Sequence, residues 1–180
     1  MSDDFTGATK FRSLTGPARA TERILVFALT LVGAAWAGEV HIFLQLTFFK
    51  EQFLGLFFAL GLAGVFLRVK VRISESEKRV PWYDWLCCVG SLLTGCYIMV
   101  MYPSIAYRLG ILSPERWLLG ALAMLLILEA TRRIAGWALV WVAVACILYA
   151  KFAYLFPGLF YAKGSSWERI ASYLYLDASG

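Results

Sequence analysis

The ten residues Leu128-Glu129-Ala130-Thr131-Arg132-Arg133-Ile134-Ala135-Gly136-Trp137 constrain the chain more than any other stretch. They form a charged island between two apolar runs, 117–128 and 135–155, neither of which can be left in water. A charged side chain at the centre of a bilayer costs about 2.5–3.5 kcal/mol or more. The island therefore predicts two membrane helices that meet at a membrane surface and place their arginines there. Composition agrees: the chain is 61% hydrophobic and 16% charged, against about 45–50% and 25% for soluble domains. The apolar residues also come in long blocks instead of amphipathic stripes.

Five spans are predicted, at about 24–43, 53–71, 85–102, 114–131 and 135–155. A run of about 20 residues makes a helix of about 30 Å, enough to cross. These spans make up a transmembrane domain over 23–156. A polar arm, 1–22, precedes it; it lacks the basic start and early apolar core of a cleavable signal and is read as cytoplasmic. A tail, 157–180, follows. In that tail Ser165 and Glu168 have capping-box spacing, and Ile170, Tyr173 and Leu174 share one helical face. That predicts a short interfacial helix lying on the membrane or a partner. The fold class is thus an all-α integral membrane protein with about five transmembrane helices and a short C-terminal interfacial helix.

Small residues mark places for close helix approach. Gly33/Ala37 and Ala34/Gly38 do so in the first span, and Ser91/Gly95 in the third, which Pro103 is expected to stop. Trp82 and Trp85, with Tyr83 between them, fit an aromatic belt at the membrane interface; a ligand cage is the competing use. Glu129 lies three and four residues before Arg132 and Arg133, which puts both guanidiniums within reach of its carboxylate. That spacing suits a paired, snorkelling surface cluster. The competing use is a docking or headgroup site where an arginine fork grips a carboxylate or phosphate.

Other chemistry finds little material. The cysteines, Cys87, Cys88, Cys96 and Cys146, all lie in apolar runs without CxxC spacing, so neither a zinc site nor a disulfide framework is expected. No cofactor, metal or catalytic residue is expected, and no patch suits nucleic acid. Glu39 and His41 at the far end of the first span read as an interfacial helix end, as a buried polar contact, or as the acid–base pair of a membrane enzyme.

The positive charges set the direction. Lys10, Arg12, Arg19 and Arg23 of the arm fall on one side with Arg68, Lys70, Arg72, Lys78, Arg79, Arg132 and Arg133. Lys50, Arg108, Arg116, Lys151, Lys163 and Arg169 fall on the other. Eleven against six predicts a cytoplasmic N-terminus and an external C-terminus.

Over Leu128-Glu129-Ala130-Thr131-Arg132-Arg133, Gly136-Trp137, Leu148-Tyr149-Ala150, Pro157-Gly158-Leu159 and the Trp167–Tyr175 tail, the chain resembles a TRAP transporter permease. The likeness is to the small-subunit region of the fused, TAXI-type permeases. It covers the last third closely and the first three spans only in layout. It implies a bacterial inner-membrane importer, in which a periplasmic solute-binding protein delivers an organic solute to a two-part permease. The large part holds the solute and coupling-ion sites; the small part is a non-catalytic scaffold that supports it. Fused permeases continue past the Tyr173-Leu174-Tyr175-Leu176 tail, so the large subunit is expected on a separate chain, or this is a truncated product. The resemblance makes Glu129, Arg132, Arg133, Gly136 and Trp137 candidates for contact with the large subunit or with membrane lipids. Alternatives are a free-standing small channel or carrier, or an enzyme using Glu39 and His41.

Overall fold

The computed structural model describes residues 10–43, 45, 49–71, 80–107, 113–158 and 161–176. The first nine residues, together with Arg72, Lys78, Arg79, Arg108 and Leu159 of the sequence reading, lie outside them. The described helices are α1 (Pro17–Ala37), α2 (Val40–Phe43), α3 (Lys50–Arg68), α4 (Trp82–Ala106), α5 (Pro114–Ala135), α6 (Trp137–Phe152, continued by a 3-10 turn Ala153–Leu155) and α7 (Trp167–Leu176). Among the described residues, four segments are long and apolar enough to cross a membrane: α1, α3, α4 and Trp137–Leu155. The chain is an all-α membrane protein. α5 is long enough as well, but it carries charge at both ends, with Glu115 in its first turn and Arg132 and Arg133 in its last.

Element boundaries differ from the sequence reading for identifiable reasons. α1 begins at Pro17, inside the segment read as a free arm. Proline loses nothing at a first helical position, and Ala18 and Leu25 are already packed in a cluster with Leu60, Ala63 and Leu67 of α3. The first span also does not reach 43 unbroken. α1 stops at Ala37, and Glu39 takes a positive φ of 53° before the short α2. α3 starts at Lys50 and ends at Arg68, about three residues earlier than expected at each end.

Pro103 does not stop the third span: α4 runs through it to Ala106. A proline inside a helix leaves the carbonyl four residues before it without its donor. Here that carbonyl belongs to Met99, and the Gln52 side-chain amide of α3 donates to it. The Gln52 carbonyl oxygen in turn accepts from the Phe49 backbone N–H at 3.1 Å. Gln52 is buried, so one side chain both opens α3 and repairs α4.

The α3–α4 pair is the most extensive helix contact in the molecule. Its closest point is Gly55 and Ala59 against Gly95 and Ile98. A Cβ on Gly95 would meet the Ala59 side chain and lie 2.6 Å from the Gly55 carbonyl oxygen. Ser91, fully buried one turn before, donates its hydroxyl to the Cys87 carbonyl at 2.8 Å and so brings no unmet polar group to the contact. Of the four small residues predicted to carry close approach in the first span, Gly33 meets α3, through Phe57, while Ala34, Ala37 and Gly38 remain exposed. The spacing of small residues found the right kind of face, but Gly55 was needed to complete it.

α7 is capped by Ser166, not Ser165: the Ser166 hydroxyl accepts from the Arg169 N–H at 3.3 Å, while the Ser165 N–H donates to Ala150. Its packed face is Ile170, Ala171 and Leu176, with Tyr173 and Leu174 exposed. The register follows from Gly120 of α5, which lets the Ala171 backbone come so close that a Cβ there would sit 2.5 Å from its carbonyl oxygen. Tyr175 donates its phenol to the Thr94 carbonyl of α4 at 2.6 Å. Burial, and the Tyr97 phenol nearby, push the Tyr175 phenol well above its ordinary value. The terminal helix is therefore docked on α5 and α4 of its own chain.

Gly95→Val is expected to cost about 1–3 kcal/mol, because overpacking a tight contact forces backbone shifts. Gly61→Ala, with no atom within 4 Å of the added carbon, should be neutral or stabilising by up to about 1 kcal/mol. Unfolding followed by helical circular dichroism in detergent separates the two.

Candidate functional site

The polar chemistry of the described chain converges at one end of the bundle. Four segments arrive there: Lys10–Leu14 ahead of α1, the end of α3, the start of α4 and the end of α5. At the centre is Asp84, in the first turn of α4 and fully buried. Its carboxylate lies 2.6 Å from a guanidinium nitrogen of Arg12 and 2.7 Å from one of Arg133. The side chains of all three are 2% exposed or less. The attraction is one of opposite charges in close contact. The positive end of the α4 helix adds to it.

Arg133 also donates through Nε to Glu129 at 2.8 Å, and its guanidinium sits 4.9 Å from the ring centre of the buried Phe66. Arg132 closes the chain from outside: Nε and an η nitrogen each donate to Glu129 at 2.7 Å, a two-point fork. It also lies 5.6 Å from the Trp137 ring, within cation–π range. Charges therefore alternate along Arg12, Asp84, Arg133, Glu129 and Arg132.

The same residues resolve a backbone problem. A helix leaves its last four carbonyls without intrahelical donors. At the end of α3, the Arg12 guanidinium donates to Phe66 and Leu67, both at 3.4 Å, and the Arg12 N–H donates to Arg68 at 2.8 Å. Arg133 reaches Val69 at 3.4 Å. The Lys70 N–H donates to Lys10, which pairs Phe11 with Val69 in an isolated antiparallel bridge. At the end of α5, the Lys10 ammonium donates to the Ile134 carbonyl at 2.7 Å. A three-residue strap thus caps two helices and supplies a charge to a third.

Of the island residues, Glu129, Arg132 and Arg133 are brought together as their spacing indicates. Arg133 is committed inward and presents nothing to an external ligand, while Arg132 and Glu129 keep partial exposure. The helix runs through the island and breaks at Gly136, whose φ of 87° belongs to the left-handed region that glycine tolerates. Trp137 then starts α6, 60% exposed.

Trp82 is exposed, and Trp85 is half-buried against the cluster of α1 and α3 residues. Glu39 is exposed. His41 lies at the far end of the bundle, its ring stacked 4.5 Å from Trp36, which stacks in turn on Phe53 at 4.4 Å. Among the described residues no group of three or more histidine, cysteine or acidic side chains could hold a metal, and all four cysteines are free.

The sequence reading missed Arg12 and Asp84. An acid in the first turn after Pro81 hints at a capping role for Asp84, but no periodicity links either residue to the island.

Asp84→Ala strands two buried guanidiniums and is expected to cost about 3–5 kcal/mol. The strap should detach, so that limited trypsin digestion cuts at Lys10 and Arg12 at least tenfold faster than in the unaltered chain. Cleavage at the unaltered rate would mean that Asp84 does not hold the strap. Comparisons of this chain with protein-family models, with curated proteins and with solved structures find no match.

Proposed function

We propose that this chain is a non-catalytic scaffold: the small membrane subunit of a TRAP-type, secondary-active importer of organic solutes. Its partners would be a large permease subunit and a periplasmic solute-binding protein. The observation that carries the reading is how the chain disposes of its charge and its apolar surface. The charged side chains gathered at one end are tied to one another across the strap, α4 and α5, and to the backbone carbonyls that end α3. Along the membrane-crossing length, by contrast, α6 leaves large apolar side chains uncovered, among them Leu139, Trp141 and Val142. A locked end and a long apolar flank suit an element that supports a neighbour in the bilayer.

The residues of the likeness, Leu128–Arg133 and Gly136-Trp137, lie at the end of α5 and the start of α6, beside the charged clasp formed by Arg12, Asp84, Arg133, Glu129 and Arg132. In this reading α5 spans as well, giving five crossings. The clasp end is cytoplasmic, because it gathers basic segments from the arm, the α3 end and the α5 end. The far end and the α7 tail then face the periplasm of a bacterial inner membrane. Arg132, on the outer edge of the clasp, is the member able to reach a large subunit or a lipid.

Purification of the tagged chain from its host membrane in mild detergent tests this. A large permease is expected to accompany it in about equal amount through gel filtration, and Arg132→Ala should weaken that association. A clean monomer from a membrane that contains such a permease would reject the scaffold. Ion flux in liposomes holding this chain alone would move the reading to a channel or carrier.

A further inference from the structure

We propose that the outer face of α1 is a binding site for one anionic phospholipid, with its phosphate on Arg19 and Arg23 and an acyl chain in the trough below them. This rests on the membrane reading of the fold, not on the scaffold assignment.

Arg19 and Arg23 are exposed, four residues apart, and have no acidic partner among the described residues. The acid best placed to neutralise them is Glu22, and it is turned the other way. Its carboxylate lies 3.3 Å from Arg68 of α3. The inward face of α1 is occupied by Ala18, Leu25, Ala28, Leu29 and Val32, packed in the cluster with α3. Two guanidiniums one turn apart on the free face form a paired set of donors that suits phosphate oxygens.

Residues Arg19, Arg23, Phe27, Thr30 and Ala34 follow helical spacing along that free face. Below the arginines lies an open trough of about 440 Å³ lined by Phe27, Thr30, Leu31, Ala34, Ala35 and Val40. Its one side-chain hydroxyl, on Thr30, is satisfied by the Val26 carbonyl at 2.9 Å, so no unmet polar group faces a hydrocarbon chain. The small Ala34 and Ala35 keep the floor low. From Arg23 to Ala34 a helix rises about 16 Å, close to half of a hydrocarbon core about 30 Å thick. One leaflet of lipid therefore fits between the charge pair and the end of the trough. Charge complementarity selects an anionic headgroup over a zwitterionic one.

Native mass spectrometry of the full chain, released from mild detergent, provides the test. Phosphatidylglycerol and phosphatidylcholine with identical acyl chains are the probes. One phosphatidylglycerol is expected to bind at least tenfold tighter than phosphatidylcholine. The double variant R19A/R23A should lose at least tenfold of that affinity while keeping its helical circular dichroism. K163A/R169A, which also removes two exposed charges, should bind as the unaltered chain does. Glycerol 3-phosphate, the headgroup chemistry without chains, should not displace the lipid at millimolar concentration. Equal binding of the two lipids would overturn the proposal, as would full retention in R19A/R23A. So would an equal loss in K163A/R169A, or displacement by glycerol 3-phosphate. The readout needs no partner subunit, so the scaffold reading stands or falls separately.

Discussion

The structure depends on one buried carboxylate. Asp84 has no access to solvent, and an isolated charge in that position would be untenable at the several kcal/mol that burial costs. Two arginines from segments far apart in the chain make it tenable. Such an arrangement adds little net stability over a well-packed apolar one, because desolvation offsets most of the Coulomb gain. Its effect is on which structure forms: any packing that brings Asp84 inside without both Arg12 and Arg133 is heavily penalised. The ends of α3, α4 and α5 are thereby fixed relative to one another.

Helices in a bilayer gain little from apolar contact alone, since lipid is as apolar as leucine. The contacts that determine this bundle accordingly use either close approach or polar repair. Gly55 and Gly95 allow α3 and α4 to touch almost backbone to backbone, and Gly120 does the same for α5 and α7. Gln52 meets the carbonyl that Pro103 strands in α4, and Tyr175 reaches the backbone of the same helix. The last two join helices through polar groups that hydrocarbon could not satisfy.

Hydropathy and charge made the helical class, the approximate positions of the apolar helices and the Glu129–Arg132–Arg133 association readable from sequence. Those features are local: they depend on residues within one or two turns of each other. Boundaries were less legible where a distant group decides them. Pro103 reads as a stop until Gln52 is known to lie across from Met99, and the start of α1 is hidden because its packing partner is α3. Arg12 is the extreme case. In sequence it is one basic residue of a polar arm, and nothing nearby reveals that it reaches the base of α4. The face of α7 was misread for a related reason: the glycine that admits its backbone belongs to another helix.

The strap has a consequence in time. Lys10 and the Ile134 carbonyl it caps are 124 positions apart, so the strap leaves the ribosome long before its last partner. At about 5–20 residues per second, that interval is roughly 6–25 s. From the emergence of Asp84 until that of Arg133, Asp84 can have Arg12 alone, and α3 has only part of its C-terminal capping. The base of the bundle therefore stays open during synthesis and closes only once the end of α5 has emerged. An early segment is thus fixed only when α5 is complete, while α6 and α7 are still to be made.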